Sequence, residues 1–105
     1  MTIIKHFTAT TFVTHGNRVL LHLHKKIGLW LPVGGHLEDN ELPEEAALRE
    51  VKEETGLDVK LIHSDGAIDF VDARQLFRPE YILLEDIGEN HQHIDLIYFA
   101  TAATD

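Results

Sequence analysis

Glu50, Glu53 and Glu54 stand at i, i+3 and i+4, a spacing that a helix gathers within about one turn. Like charges so placed repel by roughly 0.2–0.5 kcal/mol per pair, and a bound cation relieves that cost. Carboxylates are hard oxygen donors of the kind that Mg²⁺ or Mn²⁺ takes. The triplet is therefore a candidate cradle for a divalent cation, an ion that can neutralise phosphate charge and activate water. The surrounding segment, Gly34 to Leu57, holds eight carboxylates against only Arg49 and Lys52. The whole chain carries −9, which argues against broad electrostatic binding to nucleic acid or to an anionic membrane. A small anionic substrate would approach this segment only together with a cation.

The elements that must position the triplet can be read on either side of it. Pro43 suits a first helical turn although Leu42 before it is a poor cap. The helix runs to about Thr55 and stops at Gly56, with Ala47, Leu48, Val51 and Thr55 as its buried stripe. Upstream, Phe7 to Thr14 alternates in strand fashion, His15-Gly16-Asn17 is a turn, and Arg18 to His24 reads as one returning strand. A polar loop, Lys25 to Gly28, leads to the apolar run LWLPV, where Gly34 and Gly35 break the pattern. Downstream, LDVKLIHS, EYILLED and HIDLIYFATA read as strands, and Asp65 to Pro79 as loop with a short turn. One helix among several strands indicates an α+β or mixed α/β domain.

At 105 residues the expectation is one domain spanning 1–105. The chain has no Cys, so disulfides and thiolate metal sites are excluded. Apolar residues near the N-terminus alternate with polar ones, unlike a signal peptide, and no apolar run spans a membrane. A cytoplasmic location is expected.

The segment resembles the Nudix box, G-x5-E-x7-R-E-U-x-E-E-x-G-U with U a bulky aliphatic. Gly35, Glu41, Arg49-Glu50-Val51, Glu53-Glu54 and Gly56-Leu57 fill every defined position. The resemblance implies an α/β/α sandwich with a mixed sheet, and a hydrolase that cuts a diphosphate linkage in a nucleoside diphosphate derivative or a nucleoside triphosphate. It implies Mg²⁺ or Mn²⁺ held by Glu50, Glu53, Glu54 and the carbonyl of Gly35, with Glu41 and Arg49 paired to orient the loop against the helix. Arg49 is expected on a different helix face from the ligands. The general base is either Glu50 or an acid on a distant loop. A catalytically weak or inactive nucleotide-binding or regulatory domain is the alternative.

Lys25 and Lys26 precede the box where similar proteins often place a basic residue that meets substrate phosphate; two loop lysines in water is the competing reading. Trp30 reads first as packing under the loop and second as stacking on a base. His36, just after Gly35, is a candidate for phosphate contact. His22 with His24 and His91 with His93 share strand faces, but the sequence does not place the two strands together, so they read as satisfied or exposed strand histidines rather than zinc ligands. Glu38, Asp39, Glu44 and Glu45 read as solvated charge. Where diadenosine polyphosphate hydrolases carry a tyrosine beyond the box, and ADP-ribose hydrolases a proline, this chain has Ala73 and Asp72. A nucleoside triphosphate substrate survives by elimination. WLPVGG has Pro32 one place earlier than the family's usual order. The chain stops at Asp105, before the strand and helix that usually close the fold. A shortened form or a homodimer covering that face is the resulting expectation.

Overall fold

A computed structural model describes residues 2–24, 28–62 and 71–103. Two long strands form its spine. β1 (Ile4–His15) and β8 (His91–Ala102) run parallel, from Ile4 opposite His91 to Thr14 opposite Thr101. The β-branched and aromatic residues of both strands suit this pleated, half-buried setting. Each strand carries two antiparallel neighbours on its outer edge. Along β1 these are β2 (Arg18–Leu20) and β5 (Val33–His36); along β8 they are β6 (Val59–Ile62) and β7 (Tyr81–Gly88). The sheet is therefore mixed. β3 (His22–His24) and β4 (Leu29–Leu31) form a separate two-stranded ribbon.

Three sequence readings are corrected here. Arg18 to His24 is two strands, because the chain leaves the main sheet at Leu21 to build the ribbon. LWLPV also divides, at Pro32, which has no N–H to give a ladder. Gly34 and Gly35 do not break the structure; they lie inside β5, opposite Thr10 and Ala9.

The helix α1 spans Pro43–Thr55. Leu42 offers no side-chain cap, but Glu45 reaches back to accept its N–H at 2.8 Å, which satisfies one of the orphan donors of a helix start. At the other end Gly56 is left-handed at φ 77° and donates to Lys52 O at 2.9 Å. Ala46, Ala47 and Val51 are the helix's buried residues, whereas Leu48 is exposed. The small alanines let the helix come close to the sheet, where it packs on Ala9, Val13, Val33, Leu96, Tyr98 and Ala100. This is the only helix among the described residues, so they show one helical layer on a mixed sheet rather than two. None of the described helices is long and apolar enough to cross a membrane.

Residues alternate across a strand, so the sheet has two distinct faces. Ala9, Thr11 and Val13 face the helix. His6, Thr8, Thr10 and Phe12 face the other way, with His91, His93, Asp95, Ile97 and Phe99 beside them.

Candidate active site and the opposite face

Arg49 sits at the centre of the acidic segment. Its Nε and Nη2 donate to the two oxygens of Glu41 at 2.7 and 3.0 Å, a bidentate fork. Nη1 donates to Glu50 at 2.9 Å and to Glu53 at 3.2 Å, and Nη2 also reaches His36 O at 3.0 Å. Glu38 lies 3.1 Å from Nε. The guanidinium thus reaches across to two of the three glutamates instead of keeping to another face. Its length and planar fork permit this. The bond from Arg49 holds the Glu41 carboxyl below the usual carboxylate range. Glu38, Glu44 and Glu45 are not merely solvated: Glu44 accepts the amide of Phe77 at 3.0 Å, and the other two have the partners just given.

Glu54 is set apart from this cluster. Burial is the main cause that pushes its carboxyl above the usual range, and the nearby Glu50 carboxylate adds to it. His22 Nε2, at 3.8 Å, and the N–H of Gly34 act in the opposite direction. Glu50, Glu53 and Glu54 all project from α1, and the first and last are close enough to hydrogen-bond. The donor set is therefore all hard oxygen, with mutual repulsion only partly answered by Arg49. Those are the conditions that a divalent cation meets.

The two glycines make this approach possible by different means. A Cβ on Gly35 would lie 2.5 Å from Glu50 Oε1, so the missing side chain is the space that the carboxylate occupies. A Cβ on Gly34 would lie 2.5 Å from Ala9 O and 2.9 Å from Thr10 Cα, both backbone. Their carbonyls differ too. Leu37 N–H donates to Phe7 O at 3.1 Å, and peptide groups along a strand alternate in direction. Gly35 therefore turns its peptide groups toward Ala9 in the ladder. Gly34 and His36 turn theirs toward the helix, where Glu54 and Arg49 meet them. The carbonyl available beside the acids is that of Gly34, and the expectation that named Gly35's is corrected on that ground.

These contacts predict opposite outcomes for two small substitutions. Gly35→Ala displaces the flexible end of Glu50, so the fold survives while turnover falls roughly 10–100-fold. Gly34→Ala meets rigid backbone, so it costs about 1–3 kcal/mol of stability, the range for overpacking. Urea unfolding of both variants beside steady-state rates checks the contrast.

The remaining sequence candidates lie elsewhere. Trp30 is 64% exposed on the β3–β4 ribbon, so it does not pack beneath the loop. The ribbon strand that carries it pairs only with β3. Lys25 and Lys26 lie outside the described residues. His36 faces away from Glu50, since it follows Gly35 on the strand, and its ring packs on His6 and His93.

On that far side is a second feature, absent from the sequence reading. A cavity of 820 Å³ opens over the sheet face opposite α1, lined by Phe12, Tyr81, Leu83, Ile97 and Phe99. Two carboxyls also line it. Asp95 is buried and accepts the hydroxyls of Thr8 at 3.0 Å and Thr10 at 2.8 Å. Glu85 is pushed above the usual range by burial and by the charge of Asp95. One signal was present in the sequence: an Asp in the middle of the apolar run IDLIYF needs a buried partner or a ligand.

Comparison with known proteins bears on this arrangement. The NUDIX domain model matches residues 5–105. An 8-oxo-dGTP diphosphatase of Proteus vulgaris is 62% identical over 32 residues, covering 30% of this chain and 29% of that protein. The oxidized purine nucleoside triphosphate hydrolase of Mus musculus is 39% identical over 84 residues, covering 77% of this chain and 52% of that one. The chain thus spans about half or less of the length of these curated relatives. The crystal structure of a NUDIX-family hydrolase from Clostridium perfringens superposes with a TM-score of 0.81 at 43% identity, over 94% of this chain and 69% of that one.

Proposed function

This chain belongs to the Nudix family, and from that premise we propose that it hydrolyses the diphosphate linkage of a nucleoside triphosphate in a divalent-metal-dependent reaction. The observation that carries the reading is the convergence of Glu50 and Glu54 beside the glycine pair, with Gly35 leaving room for one carboxylate and Gly34 facing the other. Glu50, Glu53, Glu54 and the Gly34 carbonyl would hold Mg²⁺ or Mn²⁺, which when bound neutralises phosphate charge and lowers the pKa of a bound water. Arg49 fixes Glu41, Glu50 and Glu53 in one rigid fan, so little reorganisation is needed when phosphate arrives.

The cavity over the opposite face would take the base. Its aromatic and aliphatic lining suits a flat heterocycle, as ligand pockets usually do. Asp95 and Glu85, whose carboxyl is pushed above the usual range by burial and by the charge of Asp95, put two carboxyls in the lining that a purine edge would meet. Gly34 would contact Thr10 on the cavity side and meets Glu54 on the helix side, so base and phosphates can lie on either side of one strand. Oxidized purine nucleotides are the substrates named for the two relatives, which supports a purine nucleoside triphosphate here.

The test is a panel of 8-oxo-dGTP, dGTP, ATP, ADP-ribose and nucleotide sugars, with Mg²⁺ or with chelator. Metal-dependent release of pyrophosphate and a nucleoside monophosphate from a purine triphosphate is expected. No metal-dependent product from any member would refute the hydrolase reading and leave a nucleotide-binding domain.

A further inference from the structure

We propose that His6, His36 and His91 form a transition-metal site of the Zn²⁺ class, on the sheet face turned away from the glutamates. Their ligand nitrogens all lie within 4.8 Å of one another. They come from three strands, the start of β1, the end of β5 and the start of β8, so only the folded sheet assembles them. His6 Nδ1 lies 2.8 Å from His91 Nε2. The rings stand edge to face, with centroids 4.9 Å apart for His6 and His91 and 5.5 Å for His6 and His36.

A fourth imidazole borders the cluster. The His93 ring lies 4.7 Å from His36 and 5.4 Å from His91, centroid to centroid. Its Nε2 is buried and has no hydrogen-bond partner among the described residues. A buried polar atom without a partner is costly, and a cation-centred cluster is one way to answer it. Burial also holds His93 below its usual range.

Nitrogen donors separate this site from the glutamate ridge. Imidazole suits Zn²⁺, Cu²⁺ or Ni²⁺, whereas an all-carboxylate set suits Mg²⁺ or Mn²⁺. Zn–N bonds of about 2.0–2.1 Å in tetrahedral array place nitrogens about 3.3 Å apart. The His6–His91 pair would open slightly and His36 would swing in, movements of side chains rather than strands. His6 and His36 also line a 590 Å³ cleft with Phe7, Leu37, Glu38 and Asp39, which gives an ion an entry path and a water room for a remaining position.

The experiment is calorimetric titration of the full chain with Zn²⁺ in excess Mg²⁺, with Co²⁺ absorption as a spectroscopic reading of coordination. A single tight equivalent is expected, with the intense visible band of nitrogen-ligated Co²⁺ and a rise in Tm. The double variant His6→Asn/His91→Asn should bind Zn²⁺ at least about 100-fold more weakly, the upper end of the cost of losing even an outer-shell partner. It should lose the Tm rise and keep its Mg²⁺-dependent hydrolysis. Glu53→Gln/Glu54→Gln should still bind Zn²⁺, which excludes the glutamates and the His22–Glu54 pair as the source. No uptake in excess Mg²⁺, uptake unchanged in the double histidine variant, or uptake lost with the glutamates would each overturn the site. If the double variant does not fold, His36→Asn decides: lost binding with an unchanged circular dichroism spectrum supports the site, and retained binding overturns it.

Discussion

Glu53→Gln is expected to lower turnover by about 10³-fold, the rate equivalent of several kcal/mol of metal-ion stabilisation, with almost no change in stability. Its side chain is 58% exposed and accepts a 3.2 Å bond from Arg49, an exposed pair worth about 0–1 kcal/mol. Glu54→Gln should lose turnover equally and yet gain stability without metal. Burial raises the folded-state pKa of Glu54, so its contribution to stability is complete below its unfolded pKa and is lost as pH rises through the raised value. At neutral pH the ionised group is therefore a burden on the fold, and a neutral amide removes it. Thermal melts at pH 8 and pH 5 with chelator read this directly: the gain from Glu54→Gln should be present at the higher pH and shrink at the lower. Added Mg²⁺ should raise the melting temperature of the parent protein and not of this variant. A Glu54→Gln protein that hydrolyses substrate normally would remove Glu54 from the ligand set.

That trade between stability and chemistry explains which parts of the molecule could be read in advance. The helix was legible because its signals are local: Pro43 at the start, Gly56 at the end, and acids at i, i+3 and i+4 between. The buried stripe was less so. Leu48 is exposed and Ala46 buried, because the sheet takes the small residues where the backbones come closest, and hydrophobicity alone does not report that distance. Gly34 and Gly35 read as a break because glycine weakens a strand. In the fold they remain in β5, since Glu50 of α1 fills the space of a side chain on Gly35 and the β1 backbone leaves none for one on Gly34. Which of their carbonyls faces the acids depends on the register with β1, and register is a long-range property. The histidine cluster was invisible for the same reason. His6 and His91 are 85 positions apart, and only the parallel pairing of β1 with β8 joins them.

The same dependence on long-range geometry makes Arg49→Lys a severe change despite conserving charge. One guanidinium serves both oxygens of Glu41, one oxygen each of Glu50 and Glu53, and the carbonyl of His36. A lysine has three donors on a single atom and cannot form the fork. Two or more of those acceptors would lose their partner, and Glu41 and Glu50 are only 13% and 14% exposed. Hydrogen bonds to charged groups contribute about 1.5–3 kcal/mol each, so a stability loss of at least about 2 kcal/mol is expected in urea. Turnover should fall about 10–100-fold, the range for an outer-shell partner of a metal ligand. The pH dependence separates this from general damage. Glu41 has a depressed folded-state pKa, caused first by the bond from Arg49. Its stabilisation is therefore present above its unfolded pKa and lost as pH falls through the folded value. Weakening that bond raises the folded value, so acid unfolding of Arg49→Lys should begin at a higher pH than in the parent. The metal response should grow as well, because a divalent cation then answers carboxylates that the guanidinium no longer reaches. A variant with the parent's acid transition and the parent's rate would mean that Arg49 is an ornamental surface pair and that the glutamates hold their positions without it.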